Sequence, residues 1–245
     1  YDVVSLCSPS DQHLNDLNLL LDAQPKLIFC EKPITENLIK TKEIVKKCQN
    51  LGISLAVNHI RRWDEDLQNF KMELSKGKWG RVHSAVGYYN KGILNNGTHL
   101  VDLMQYVLGK ITLVSIGTPV VDYSNEDPTI PAILFNKKHN INIHFSAGNA
   151  NDYTIFEIHF MMENGFVSIE DSGRIWRKRL PINSKDFFKY KFLNQGDIVP
   201  KSNSYPMFNA ISNIYNHLSH GENLSSTGFS ALSSQHLCEE IKLSL

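Results

Sequence analysis

An excess of charge of either sign is absent from this chain. Its 245 residues carry 25 basic and 25 acidic side chains, a formal net charge of zero. That balance argues against a nucleic-acid binder working by bulk electrostatics, which needs a surplus of lysine and arginine. The short clusters Lys46-Lys47 and Arg177-Lys178-Arg179 read as solvated faces. No apolar run approaches the ~20 residues that a bilayer-crossing helix needs, and no leader pattern is visible, so a membrane partner is not expected. The four cysteines, Cys7, Cys30, Cys48 and Cys238, show no C-x-x-C spacing. They read as reduced, buried thiols of a cytoplasmic protein. Among ten histidines only His217 and His220 fall at close helical spacing, with no carboxylate or cysteine pattern beside them. No metal site is expected. A lead-in is also lacking: Tyr1 opens directly into a strand-like run, which reads as a fragment.

A 42% hydrophobic share can build a sizeable core, in one large domain or two modest ones. Residues 2–7 read as a strand closed by Ser8-Pro9-Ser10, and 11–23 as a helix capped by Ser10 or Asp11. A strand over 26–30 ends at Glu31-Lys32-Pro33, a helix over about 36–51 stops at Gly52, and 53–57 is a third strand. Strand, helix, strand, helix, strand at this spacing predicts a parallel α/β unit. After Asn58 the style changes. A helix over about 65–76 and a strand over 81–89 lead into residues 91–109, and from residue 111 strands dominate. Ile141, Ile143, Phe145 and Ala147 alternate with polar residues, and Glu163-Asn164-Gly165 is a hairpin signal. Residues 183–203 read as a long loop, and 205–219 and 228–243 as closing helices. The expected fold is α/β plus α+β: an incomplete parallel sheet at 1–60, then a larger domain at 61–245 with a mainly antiparallel open sheet. Its half-apolar face, with Ile155, Glu157, His159 and Met161, is a candidate self-association surface for a homodimer or homotetramer.

The stretch 91–109 carries two stripes. Read as a helix from about Asn95, it lines up Asn95, His99, Asp102 and Tyr106 on one face. Leu100, Leu103, Met104, Val107 and Leu108 line another, which can be buried. Asn95 and Asn96 are candidate caps and Gly109 a candidate stop. Such a helix points Asn, His and Asp toward a polar site. Arg61, Arg62 and Trp63 read equally as a substrate or cofactor edge and as an interdomain brace.

Three motifs, Ser8-Pro9-Ser10-Asp11-Gln12-His13, Glu31-Lys32-Pro33 and Gly97-Thr98-His99-Leu100-Val101-Asp102, each in a fitting context, recur in this order in a known family. By them the chain resembles the Gfo/Idh/MocA (glucose–fructose oxidoreductase, inositol dehydrogenase, rhizopine catabolism) oxidoreductases. The resemblance implies a Rossmann-like domain that binds NAD or NADP, then an α+β substrate domain. It implies oxidation of a hydroxyl on a sugar, polyol or sugar nucleotide, or the reverse. It further implies that Lys32 and His99 face nicotinamide and substrate across one cleft; Arg62, Asn95 and Asp102 are further candidates on the substrate side. Ser8, Pro9, His13, Glu31, Lys32 and Asn58 would lie along the cofactor, and the Lys32–Pro33 bond would be cis.

The chemistry runs in parallel. Removing hydride from a carbinol needs a base for the O–H proton and a donor for the developing charge. A lysine titrates near 10.4, too high for that base unless burial beside a cation lowers it. An imidazole titrates nearer the useful range. Lys32 therefore reads as hydrogen-bond partner and proton relay, His99 as the direct partner of the hydroxyl. Two departures from the family stand out. Asn95 stands where many members carry an aspartate, which turns the expectation toward a modified sugar or a sugar nucleotide. No G-x-G-x-x-G, the turn that cradles a pyrophosphate, occurs in the 245 residues. The chain by itself is therefore expected to bind dinucleotide poorly. The alternatives are a non-catalytic dimerisation or binding module, and a biliverdin-reductase-like enzyme, which the polar stripe fits less well.

Overall fold

The computed structural model describes residues 1–199 and 205–245. In chain order the elements are β1 (Val3–Leu6), α1 (His13–Ala23), β2 (Leu27–Cys30), α2 (Leu38–Leu51), β3 (Ser54–Val57), α3 (Glu65–Ser75), β4 (Val82–Tyr89), a π-helical turn (Gly92–Asn96) and α4 (Gly97–Leu108). Then follow β5 (Ile111–Ile116), β6 (Ala132–Asn136), β7 (Ile141–Ala147), β8 (Phe156–Met162), β9 (Gly165–Glu170), β10 (Ile175–Arg179), β11 (Pro181–Asn183), β12 (Lys191–Leu193), β13 (Asp197–Val199), α5 (Pro206–His220) and α6 (Gly228–Leu243). No helix among the described residues is long and apolar enough to cross a membrane.

The chain divides into two compact units, Tyr1–Leu67 with Ser204–Glu239 and Gln68–Asn203 with Glu240–Leu245. The first is the α/β unit expected from the strand–helix alternation, with β1, β2 and β3 parallel and in that order. Its middle strand is buried at every position. Ile28 and Cys30 join a core with Leu17, Leu21, Ile44 and Val45 of α1 and α2, whereas Leu27 and Phe29 join another with Trp63, Ala210 and Ile214. Successive side chains of a strand point to opposite faces, so both faces of β2 are covered, as parallel sheets require. Here the structure differs from the expected 1–60/61–245 division: α5 and most of α6 belong with the parallel strands. Their contacts, Ile214 in the second core and a hydrogen bond of 2.8 Å between His217 Nε2 and Ser54 Oγ, span about 160 residues, a separation that periodicity does not report.

In the second unit the sheet order is β13-β10-β9-β8-β4-β7-β6-β5. Only β4 and β7 run parallel; every other neighbouring pair is antiparallel. This is the mainly antiparallel sheet that the alternation at 141–147 announces, and Ile141, Ile143 and Phe145 are its buried side. The long loop expected over 183–203 is instead structured along its described part. Strands β11 and β12 pair as a hairpin and β13 joins the sheet edge, while residues 200–203 lie outside the described residues. Helix α4 comes close to β4 at Gly87, where an added Cβ would stand 2.6 Å from Leu100 Cδ1.

Two smaller expectations are corrected. Gln12, not Ser10 or Asp11, precedes α1, and no side chain caps it. Cys7 is exposed, unlike Cys30, Cys48 and Cys238. Burial pushes the Cys48 thiol up to about 11 and the Cys30 thiol further, so neither is reactive.

Candidate functional site

In the first unit the sites foreseen for a cofactor gather at the carboxyl ends of the parallel strands. The register pairs Leu6 with Cys30 and Cys30 with Val57. The next residues therefore emerge side by side: the Glu31 amide donates to Leu6 O at 3.0 Å and the Asn58 amide to Cys30 O at 2.8 Å. Asn58 Nδ2 donates to Glu31 Oε1 at 2.6 Å, whereas the buried Asn58 Oδ1 has no hydrogen-bond partner. A buried acceptor without a donor is costly, and one at the edge where open α/β sheets bind ligands points to a missing ligand donor. The Lys32–Pro33 bond is cis, as the resemblance implied.

Other side chains hold this edge from behind. The Ser8 hydroxyl donates to Asp16 at 2.6 Å and the Ser10 hydroxyl to Glu36 at 2.8 Å. His13 is 1% exposed, and its two ring nitrogens lie 2.7 Å from Pro33 O and 2.9 Å from Ser8 O. Both partners are backbone carbonyls, which only accept, and the tautomer decides which ring nitrogen donates. His13 thus ties the Ser8 turn to the Lys32-Pro33 turn, and its ring nitrogens are occupied rather than directed along a cofactor. Asp16 and Glu36 escaped sequence reasoning, because carboxylates on helix and loop surfaces carry no local signal for the serine each will orient.

Arg61, Arg62 and Trp63 form a short 3₁₀ turn with Ile60. Arg62 Nη1 donates to Ser225 O at 3.2 Å, and burial pushes the Arg61 guanidinium below its ordinary value, with Asp64 opposing. Trp63 Nε1 donates to Asn213 Oδ1 at 3.0 Å and its ring meets Phe29 edge-on at 6.0 Å. Trp63 is 1% exposed, a core residue of the first unit.

In the second unit Asn95, His99 and Asp102 are on the expected segment, but its start is not a capped α-helix. Residues Gly92–Asn96 make a π turn, α4 begins at Gly97, and no side chain of Asn96 caps it. Such turns are rare and frequent at functional sites. Asn95 and His99 are half-buried and Asp102 is 2% exposed. Leu100, Leu103, Met104, Val107 and Leu108 are buried and the helix ends at Gly109, as the pattern predicted. Lys32 lies in the first unit and His99 in the second. Among the described residues no group of three or more His, Cys, Asp or Glu side chains could hold a metal.

Comparison with known proteins agrees with the geometry. Residues 1–59 match the model of the oxidoreductase family with NAD-binding Rossmann fold, GFO_IDH_MocA. D-apiose dehydrogenase of Rhizobium rhizogenes is 28% identical over 123 residues, which are 43% of this chain. The chain covers only 36% of that protein's length. Among solved structures, UDP-N-acetylglucosamine 3-dehydrogenase GnnA from Acidithiobacillus ferrooxidans superimposes with a TM-score of 0.79 at 14% identity, over 100% of this chain and 78% of that one. The WlbA dehydrogenase from Bordetella pertussis, in complex with NADH and UDP-GlcNAcA, gives 0.75 at 19% identity over 99% of this chain and 76% of that one. At these identities the two structures establish the shared fold alone. Residues 1–59 thus match the Gfo/Idh/MocA oxidoreductase family, and the two-unit fold is the one that these dehydrogenase structures share.

Proposed function

We propose that the chain serves an NAD- or NADP-dependent oxidoreductase that interconverts a hydroxyl and a ketone on a sugar, polyol or sugar nucleotide. The observation that carries this reading is the strand-end edge of the first unit, where the buried Asn58 Oδ1 has no protein donor. A nicotinamide dinucleotide presents amide and hydroxyl donors that fit such an acceptor. Ser8, Pro9, Glu31, Lys32 and Asn58 would hold it there, with His13 bracing the two turns. The nicotinamide ring, when bound, exchanges the hydride. Within the chain, Lys32 donates a hydrogen bond and relays the proton, His99 takes or returns the proton of the substrate hydroxyl, and Asn95 orients that hydroxyl without moving a proton. Arg62 and Asp102 are the further substrate candidates, although both are buried. A sugar-nucleotide substrate is supported by Asn95 in place of an acid and by the names of the two structural neighbours.

The 245 residues contain no G-x-G-x-x-G, so this chain by itself binds dinucleotide weakly under the same proposal. Fluorescence titration with NADH and NADPH tests it. Weak binding that is abolished by Asn58→Leu supports the reading; tight binding indifferent to that change overturns the placement. The second reading, a non-catalytic dimerisation or binding module, is favoured by that absent motif and by the half-exposed sheet face. There Tyr88 is 38% and Met161 52% exposed beside His159 and Phe166. Self-association through that face, as homodimer or homotetramer, belongs to both readings. Sedimentation of Met161→Glu separates a face-mediated oligomer, which dissociates, from any other.

A further inference from the structure

The first four amides of a helix have no partner within it and must find one elsewhere. At the start of the segment that carries Asn95 and His99 all four partners come from three consecutive residues, Asp127, Pro128 and Thr129. The Gly92 amide donates to Thr129 Oγ1 at 2.8 Å and the Ile93 amide to Pro128 O at 3.1 Å. The Leu94 amide donates to Asp127 Oδ1 at 2.8 Å and the Asn95 amide to Asp127 Oδ2 at 2.9 Å. A second carboxylate braces the first three: Thr129 Oγ1 donates to Asp122 Oδ1 at 2.9 Å, and Asp122 Oδ2 takes the Lys91 amide at 2.9 Å. Gly92 has φ +82°, and an added Cβ would overlap the Asp127 carboxylate. The glycine and the aspartate are therefore a matched pair, one vacating the space that the other fills.

We propose that Asp127 is a positioning residue for Asn95 and His99, its carboxylate holding the π turn that sets where α4 begins and hence where both side chains are presented. Its catalytic meaning rests on the oxidoreductase reading; the geometry does not. A π turn accommodates one residue more per hydrogen bond than an α turn. If it relaxed to an α-helix, the residues before Gly97 would rotate by about 100° each relative to those after it. A carboxylate bonded to two adjacent amides at a helix start is strong enough to resist that, because charge assistance and the helix dipole both favour it. Burial pushes the Asp127 carboxyl above its ordinary value, and the Leu94 and Asn95 amides, then Lys242, pull it back.

The test uses the full chain, without cofactor or substrate, and reads two quantities by NMR: amide exchange at Leu94 and Asn95, and the pH titration of the His99 ring. Asp127→Asn should speed exchange at both amides at least tenfold and displace the His99 titration, with the sheet amides of Ile143 and Phe145 unchanged. Thr129→Val removes a tie at Gly92 and leaves the Asp127 charge in place. It should displace the His99 titration in the same direction by less, and it stands in should Asp127→Asn fail to fold. A His99 titration that coincides with the unaltered protein in both variants, or that moves only when the charge is removed, overturns the proposal. Failure of the oxidoreductase reading would show as absent dinucleotide binding and leaves these two readouts as they are.

Discussion

The two units hold their candidate site residues by contrasting means. In the first, Glu31 and Asn58 follow β2 and β3 directly, so the ladder that pairs Leu6, Cys30 and Val57 also delivers the site. Each such residue is within a step of the hydrogen bonds that place it. In the second, the segment bearing Asn95 and His99 is held by Asp127–Thr129, about 30 residues further along, between β5 and β6. A strand-end site is thus as firm as the sheet core beneath it, whereas a helix-start site depends on a loop that must return to it. The comparison teaches that damage should spread differently: core changes weaken the first site with its unit, and single loop changes can disarm the second in an intact sheet.

Four measurements test that contrast. The largest belongs to the proposed oxidoreductase reading and concerns turnover: under it, His99→Ala and Lys32→Ala should each lower the oxidation rate about 10²–10⁴-fold. If the two residues serve one proton path, as that reading has it, the double variant should lose much less than the product, because such groups are not additive. Steady-state formation of reduced cofactor measures both, and independent, multiplicative losses would separate the two residues. Next, Gly87→Val forces α4 off β4 and should cost about 1–3 kcal/mol by urea unfolding; a neutral result would mean that the helix is free to move. His13→Leu should cost about 1–3 kcal/mol by stranding the Pro33 and Ser8 carbonyls. Hydrogen exchange should rise at α1 and in residues 31–36 and stay unchanged at Ile143 and Phe145 in the second unit; a rise in both would end the idea of separately held sites.

The smallest effect is set by pH. Burial pushes the Glu73 carboxyl up, but hydrogen bonds from Lys78 and Trp79 and the charge of Lys178 outweigh it and hold the group below its ordinary value. A lowered folded-state value contributes stability above the ordinary carboxylate range and loses it as pH falls through the folded value. Glu73→Gln should therefore destabilise by under about 1 kcal/mol at neutral pH. Its unfolding curve should meet that of the unaltered protein in acid. A constant difference across pH would assign the effect to packing.

Legibility followed the range of the forces involved. The parallel strands, the buried stripe of α4, its stop at Gly109 and the β8–β9 hairpin were readable, since each follows from neighbours a few residues apart. The strand-end candidates were readable for the same reason, apart from His13, whose ring faces two backbone carbonyls that no side-chain pattern marks. The π turn was not readable, because residues 92–96 carry ordinary helix-start chemistry and the partner that stretches the turn is remote. Nor was the allegiance of α5: its apolar spacing shows that it buries a face, not which sheet receives it.

By itself, then, the sequence determined most of the strands and helices, the buried stripe of α4 and the motifs that end the parallel strands. Local sterics and solvent exclusion act within a turn or a pleat, and they need no knowledge of the rest of the chain. Only the tertiary structure decided that Asp127 fills the space left by Gly92, that His13 faces inward, and that the closing helices cover the parallel sheet. Those outcomes depend on which buried amide, carbonyl or apolar face still lacks a partner once the local elements have formed. That balance is struck over the whole fold.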